Sequence, residues 1–244
     1  MLYWGIQQGN PDGELLHEAC TSLGIPAGWI YRKPFSLALP MVSRGYPSVF
    51  YGTVEFTNLI AESKQWTPGI WEIDDQWLQL DGLLNHDAVR MPLKLIPEYC
   101  GNSRSFIRPV KDDKFFSGQV MNKVEMDLWI QSLDPEWQEV HALVSIPKQI
   151  PHEWRCFMVN GEFISGSHYR SYGMKMTSPD VPLAVQEFAS NFPVSFSHGI
   201  YVLDVCEFNN ELKLVEVNGF NSCGFYDTDV KKVVEAINNA KVYI

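Results

Sequence analysis

The stretch IYVLDVCEFNNELKLVEVN, residues 200–218, reads as two apolar strands joined by a turn at Asn209-Asn210, and three polar side chains interrupt it: Asp204, Glu216 and Asn218. Side chains alternate along a strand with period two, so Glu216 and Asn218 are expected to share a face with Leu212 and Leu214. Three such residues on a hairpin are more often the wet side of an amphipathic sheet. Leu203, Val205, Val215 and Val217 argue otherwise, because they make both strands apolar on each face around the acids, as in a buried sheet with a functional end. Two carboxylates and an amide oxygen are the hard donors that magnesium accepts beside water and phosphate. The pattern also sets a condition on the hairpin. Asp204 lies opposite Glu216 only if the turn holds an odd number of residues, such as Asn209–Glu211, or is bulged; a strict two-residue turn puts Asp204 opposite Val215.

A second hairpin lies just upstream, EWRCFMV (153–159), Asn160-Gly161, then EFISGSHYR (162–170). Asn-Gly suits the positive backbone angles of a two-residue turn. Such a turn pairs Val159 with Glu162, sets Arg155 opposite Gly166 and leaves Arg170 on the same face. Guanidinium donors match oxyanions in pairs, so Arg155 and Arg170, with the glycine giving room, are expected to cradle a phosphate or carboxylate. The competing reading is a solvated arginine paired with Glu153 or Glu162. His168, assigned to the arginine face, reads as structural or substrate-facing rather than as a metal ligand. Further upstream, SFIRPV (105–110) places Arg108 in an apolar strand and Lys114 in the turn that follows, an arrangement able to cover phosphates although it lacks the glycine-rich Walker pattern.

Working outward, Glu14 to Leu23 reads as a helix stopped by Gly24, and Ser48 to Gly52 as a short strand. Residues 58–97 read as irregular, with a helix between Asp81 and Leu95. Val124, Leu128 and Leu133 form a helical stripe, Val140 to Ile146 an apolar strand, and Pro147 and Pro151 bracket a linker. A helix from Pro182 to Asn191 separates the two hairpins, and Asp227 caps a final helix with Val230, Val233, Val234 and Ile237 inward. The expected organisation is an α+β chain of three lobes, 1–100, 101–146 and 147–244.

The formal charge of −10 argues against nonspecific binding to nucleic acid or to an anionic membrane. Five widely spaced cysteines fit reduced thiols better than a disulfide framework, and they do not make a zinc set. The opening MLYWGIQQGNPDGE is unlike a signal peptide, and no apolar run is long enough for a membrane span, so a cytoplasmic location is expected. No zincin, GxSxG or GxGxxG motif occurs.

In order, FIRP (106–109), the turn ending in KFFSG (114–118), ALVSI (142–146), EWR (153–155), SHYR (167–170) and VEVN (215–218) resemble the ATP-grasp superfamily. The chain is most similar to a clade of small ATP-grasp proteins of bacteria and phages, over residues 104–227, with a weaker likeness through DGLLNHDA (81–88). The resemblance implies two α+β lobes gripping ATP, preceded by a small α/β lobe. It implies that Arg108 and Lys114 contact phosphates, that the backbone at Val144, Ser145 and Ile146 meets adenine, and that Asp204, Glu216 and Asn218 hold Mg2+. Arg155 and Arg170 would face the phosphates or an acyl phosphate. The implied reaction is ATP-dependent joining of a small-molecule or peptide carboxylate to an amine, without a protein nucleophile. An ATP-dependent phosphotransferase and a non-catalytic nucleotide-binding module are the alternatives. Arg108 stands where the wider superfamily has lysine, and KDDK where it has a glycine-rich loop.

Overall fold

The computed structural model describes residues 2–31, 48–64, 82–110, 116–193 and 199–240. The chain forms two compact units, Met1–Ile70 with Ile150–Ile244, and Trp71–Gln149. Among the described residues no helix is long and apolar enough to cross a membrane.

The first unit opens with β1 (Tyr3–Gln7), α1 (Pro11–Ser22), β2 (Ala27–Ile30), β3 (Ser48–Tyr51) and α2 (Val54–Lys64). Asn10 caps α1 through Gly13 N–H, Pro11 sits where a missing N–H does no harm, and Gly24 at φ +66° ends the turn beyond it. The strands make a parallel sheet in the order β2-β1-β3, the expected small α/β arrangement.

The second unit holds β4 (Val89–Pro92), α3 (Ile96–Cys100), β5 (Ser105–Pro109), β6 (Gln119–Met121), α4 (Lys123–Gln131), α5 (Pro135–Gln138) and β7 (His141–Ser145). Its sheet runs β4-β7-β5-β6. Two expectations change here. Among the described residues between Asp81 and Leu95 the chain forms β4 and a short 3-10 turn rather than an α-helix, since Pro92 has no N–H to give to a helix interior. On α4 the stripe of Val124 and Leu128 points outward. A capping box at Asn122 and Glu125 fixes the start of that helix, and the turn of the helix then brings Met126 and Ile130 inward. Because β4 pairs with β7, this unit draws in chain from before residue 100.

The chain returns to the first unit with β8 (His152–Val159), β9 (Glu162–Ser171), β10 (Met174–Ser178), α6 (Leu183–Asn191), β11 (Ile200–Phe208), β12 (Glu211–Asn218) and α7 (Val230–Ala240). The five strands form an antiparallel sheet, β10-β9-β8-β11-β12. Val233, Val234 and Ile237 of α7 pack with Phe157, Val202, Trp4 and Leu16 into one core, which joins this sheet to β1 and α1. The cap of α7 is Asp229, whose carboxylate accepts from Lys232 N–H; the expected Asp227 instead gives its own N–H to Ser167 Oγ.

Candidate active site

Both hairpins carry β-bulges, and these decide what meets what. Asn209 and Asn210 take φ of +53° and +62°, a two-residue turn that pairs Phe208 with Glu211. The expected odd-numbered turn is therefore absent. The register shifts between Val205↔Leu214 and Asp204↔Glu216, so Val215 is the extra residue and the two acids become cross-strand neighbours. The same bulge separates Glu216 from Leu212 and Leu214, which pair with Glu207 and Val205 on the opposite face. The expectation that they share one face is corrected accordingly.

The first hairpin behaves similarly. Asn160-Gly161 makes the expected turn and Val159 pairs with Glu162, but shifts after Phe157 and after Glu153 move the partners. Arg155 lies opposite Ser167 rather than Gly166, and Arg170 lies opposite Glu153. Gly166 leaves room not for a ligand but for backbone, because a Cβ there would run into the Arg155 carbonyl oxygen.

A row of side chains results across the sheet, Ser167, Arg155, Asp204 and Glu216, on β9, β8, β11 and β12. Asp204 is 1% exposed. Arg155 grips it in a fork, Nε donating to Oδ1 at 2.8 Å and Nη2 to Oδ2 at 2.7 Å, while Nη1 donates to the Gly224 carbonyl at 3.2 Å. Asn218 Nδ2 reaches Asp204 Oδ2 and Glu216 Oε1, each at 3.2 Å. Burial pushes the Asp204 carboxyl up, to about 6; the Arg155 guanidinium opposes that rise and the Glu216 carboxyl adds to it. Burial works against the Arg155 charge, and the Asp204 carboxylate outweighs it, so the guanidinium stays firmly charged.

The Asp204 and Glu216 carboxyls lie close enough for each to disfavour the charge of the other, and a cation between them relieves that repulsion. Asp204, Glu216 and Asn218 therefore fit a magnesium ion by donor chemistry: hard oxygens within hydrogen-bonding reach of one shared amide. Among the described residues no three His, Cys, Asp or Glu side chains converge, so the third protein donor has to be the amide.

Beyond this row, Tyr169 and Tyr226 stack with ring centroids 4.9 Å apart. The Arg155 guanidinium lies 5.1 Å from the Tyr226 centroid and 5.5 Å from that of Tyr169, and Arg170 lies 5.6 Å from Tyr169. Glu153, almost fully buried, accepts from Tyr169 Oη at 2.8 Å and pairs with Arg170 Nη1 at 3.5 Å. Arg170 is 48% exposed, so the competing pairing with Glu153 is realised without burying the arginine. Glu153 was legible only as a charge partner, whereas Tyr169 and Tyr226 carried no signal. Tyr169 owes its place to the bulge, and Tyr226 sits at φ +52°, a left-handed backbone that Tyr-Asp does not announce.

The remaining expected residues lie in the second unit. Arg108 is on β5 opposite Leu143. Val144 is held between Val89 and Ile107, Ser145 Oγ donates to Asn85 Oδ1, and the Ile146 side chain is exposed. Ile146 N–H donates to Asp87 Oδ2 at 3.0 Å, and Lys148 Nζ spans Asp87, Asn85 and the Ile146 carbonyl. Lys114 lies outside the described residues.

A search of curated proteins by sequence finds no match. Among solved structures the chain is similar to D-cycloserine synthetase DcsG, with TM-score 0.64 and 10% identity over 98% of this chain and 99% of that one. It is similar to D-alanine–D-alanine ligase from Bacillus anthracis complexed with ATP, with TM-score 0.57 and 10% identity over 99% of this chain and 97% of the other. It is also similar to macrocyclase MdnC from Microcystis aeruginosa bound with precursor peptide MdnA, with TM-score 0.55 and 11% identity over 97% and 98%. At such identities the likeness is one of fold. A family model for an ATP-grasp domain, the third family of its clade, matches residues 58–237, most of the chain. The motif order read along the sequence and the paired carboxylates of the five-stranded sheet thus fall within that match, and the chain belongs to this ATP-grasp family.

Proposed function

We propose that this chain is an ATP- and Mg2+-dependent ligase that joins a carboxylate to an amine through an acyl phosphate. The observation that carries this reading is the Arg155–Asp204–Glu216 row with Asn218 beside it. Asp204, Glu216 and Asn218 would hold the magnesium, which bridges phosphate oxygens and neutralises the charge that develops on them. Arg155, with its three nitrogens already engaged, is a positioning residue: it fixes both oxygens of Asp204. Arg170, half exposed and steered by Glu153, is the guanidinium offered to the phosphoryl group or acyl phosphate.

In the proposed sequence the substrate carboxylate oxygen attacks the γ-phosphorus, the bond to the bridging oxygen breaks, and ADP leaves. The amine then attacks the acyl carbon and loses its proton, and inorganic phosphate departs with the bonding pair. Arg108, Lys114 and the Val144–Ile146 segment are assigned to the nucleotide on the strength of the family resemblance. The lobes are assigned one sheet each: first the three-stranded, then the four-stranded with Arg108, then the five-stranded with the metal residues. The structural relatives are named as synthetase, amino-acid ligase and peptide-bound macrocyclase, which favours a small-molecule or peptide acceptor.

Oxygen-18 in the carboxylate tests the reading. Incubated with ATP, Mg2+ and amino-acid or peptide mixtures, the chain is expected to release ADP and move one labelled oxygen into phosphate only when an amine is present. A stable phosphorylated product without amine would instead make it a phosphotransferase, and nucleotide binding without ADP a non-catalytic module.

A further inference from the structure

The face of the five-stranded sheet opposite the Arg155 row carries a second cluster that the ligase reading does not use. Strict alternation would put His168 and Ser171 on opposite faces of β9. The bulge at Tyr169 removes that separation: Trp154 pairs with His168 while His152 pairs with Ser171. His168 thereby leaves the arginine face expected from the sequence. The turn beyond is fixed by Tyr172 at φ +47° and Gly173 at φ +79°, and Tyr172 N–H donates to the Pro151 carbonyl, which closes the chain against His152.

Three donor atoms then meet in a near-equilateral triangle. His152 Nδ1 is 3.3 Å from His168 Nε2 and 3.1 Å from Ser171 Oγ, and Ser171 Oγ is 3.3 Å from His168 Nε2. Donors at about 2.0–2.1 Å around a tetrahedral zinc ion stand about 3.3–3.4 Å from one another, so the triangle has the size of one face of such a polyhedron. His168 and Ser171 are buried, and the rings of Trp154 and Tyr172 flank His152. A backbone hydrogen bond to Arg170 also engages the His168 ring, the kind of second contact that orients an imidazole ligand.

We propose that His152 Nδ1, His168 Nε2 and Ser171 Oγ form a site for a zinc-class divalent transition-metal ion, separate from the magnesium residues, with its fourth position taken by water. Imidazole nitrogens select such ions over magnesium, which prefers oxygen. Burial, with His152 nearby, pulls the His168 pKa down, so the ring is neutral near pH 7, as ligation requires. The thiols compete little: Cys20, Cys156, Cys206 and Cys223 are buried, and burial pushes Cys20 and Cys223 up to about 12. A bound ion would staple the start of β8 to the end of β9.

Calorimetric titration of the full chain with zinc sulfate, in excess magnesium chloride and without nucleotide, tests the site. One saturable zinc per chain is expected, at least tenfold weaker in His152→Ala and in His168→Gln, less weakened in Ser171→Ala, and unchanged in Glu216→Gln. Electron paramagnetic resonance of the native chain with one equivalent of Cu2+ avoids any folding defect in the variants, and coupling to two imidazole nitrogens is expected. Zinc binding that survives both histidine changes, binding abolished by Glu216→Gln, no saturable binding, or copper coupled to fewer than two imidazoles would each overturn the proposal.

Discussion

Removing Arg155 leaves the Asp204 carboxylate buried without the cation that now binds both its oxygens. Breaking such a pair by deleting one partner costs on the order of 3–5 kcal/mol, so Arg155→Ala is expected to lower the urea midpoint sharply. Arg170→Ala removes a half-exposed guanidinium 3.5 Å from Glu153 and is expected to cost under about 1 kcal/mol while reducing turnover. The two arginines were equivalent in the sequence because residue type and parity were all that could be compared; burial separates them. Asp87 supplies a pH test in the second unit. Burial would raise its pKa, but the Lys148 hydrogen bond and charge and the Ile146 N–H together bring it below the ordinary value. A depressed carboxyl stabilises the fold above the unfolded pKa of about 3.9 and ceases to do so as pH falls through the lower folded value. The difference in melting temperature between the native chain and Asp87→Asn is therefore expected to be full at pH 7 and to shrink progressively below about pH 4.

The turns of both hairpins were legible because Asn160-Gly161 and Asn209-Asn210 are residues that tolerate positive φ. Their bulges were not. Val215 and Tyr169 have ordinary strand chemistry, and what makes each the extra residue is how its strand pairs with neighbours distant in sequence. The expected pairing of Asp204 with Glu216 was therefore reached through a different device, while the faces of Leu214 and His168 were misassigned by one residue. Gly166 tests the packing of these strands directly. A methyl there meets the Arg155 carbonyl, which is backbone and cannot swing aside, so Gly166→Ala is expected to destabilise by about 1–3 kcal/mol in urea titration.

For the molecule as a whole, the last hundred residues were the readable part. Their strands are long, their turns are marked, and α7 buries Val233, Val234 and Ile237 as the spacing predicts. The first hundred mix short elements whose partners come from elsewhere: β4 is a four-residue strand made stable by β7, and the core of β1 and α1 is completed by α7 and β8. No local window contains those contacts, so periodicity could not divide the chain there. The central claim is a magnesium–nucleotide site built on Asp204, Glu216 and Asn218, and thermal melting with Mg2+ and a non-hydrolysable ATP analogue tests it most directly. At about a hundred times the dissociation constant, mass action predicts about 2.7 kcal/mol of added stability, or roughly 5–10 °C for a chain of this size. Glu216→Gln is expected to melt normally without ligand and to lose most of that rise; an equal rise in the native chain and in Glu216→Gln would contradict the account.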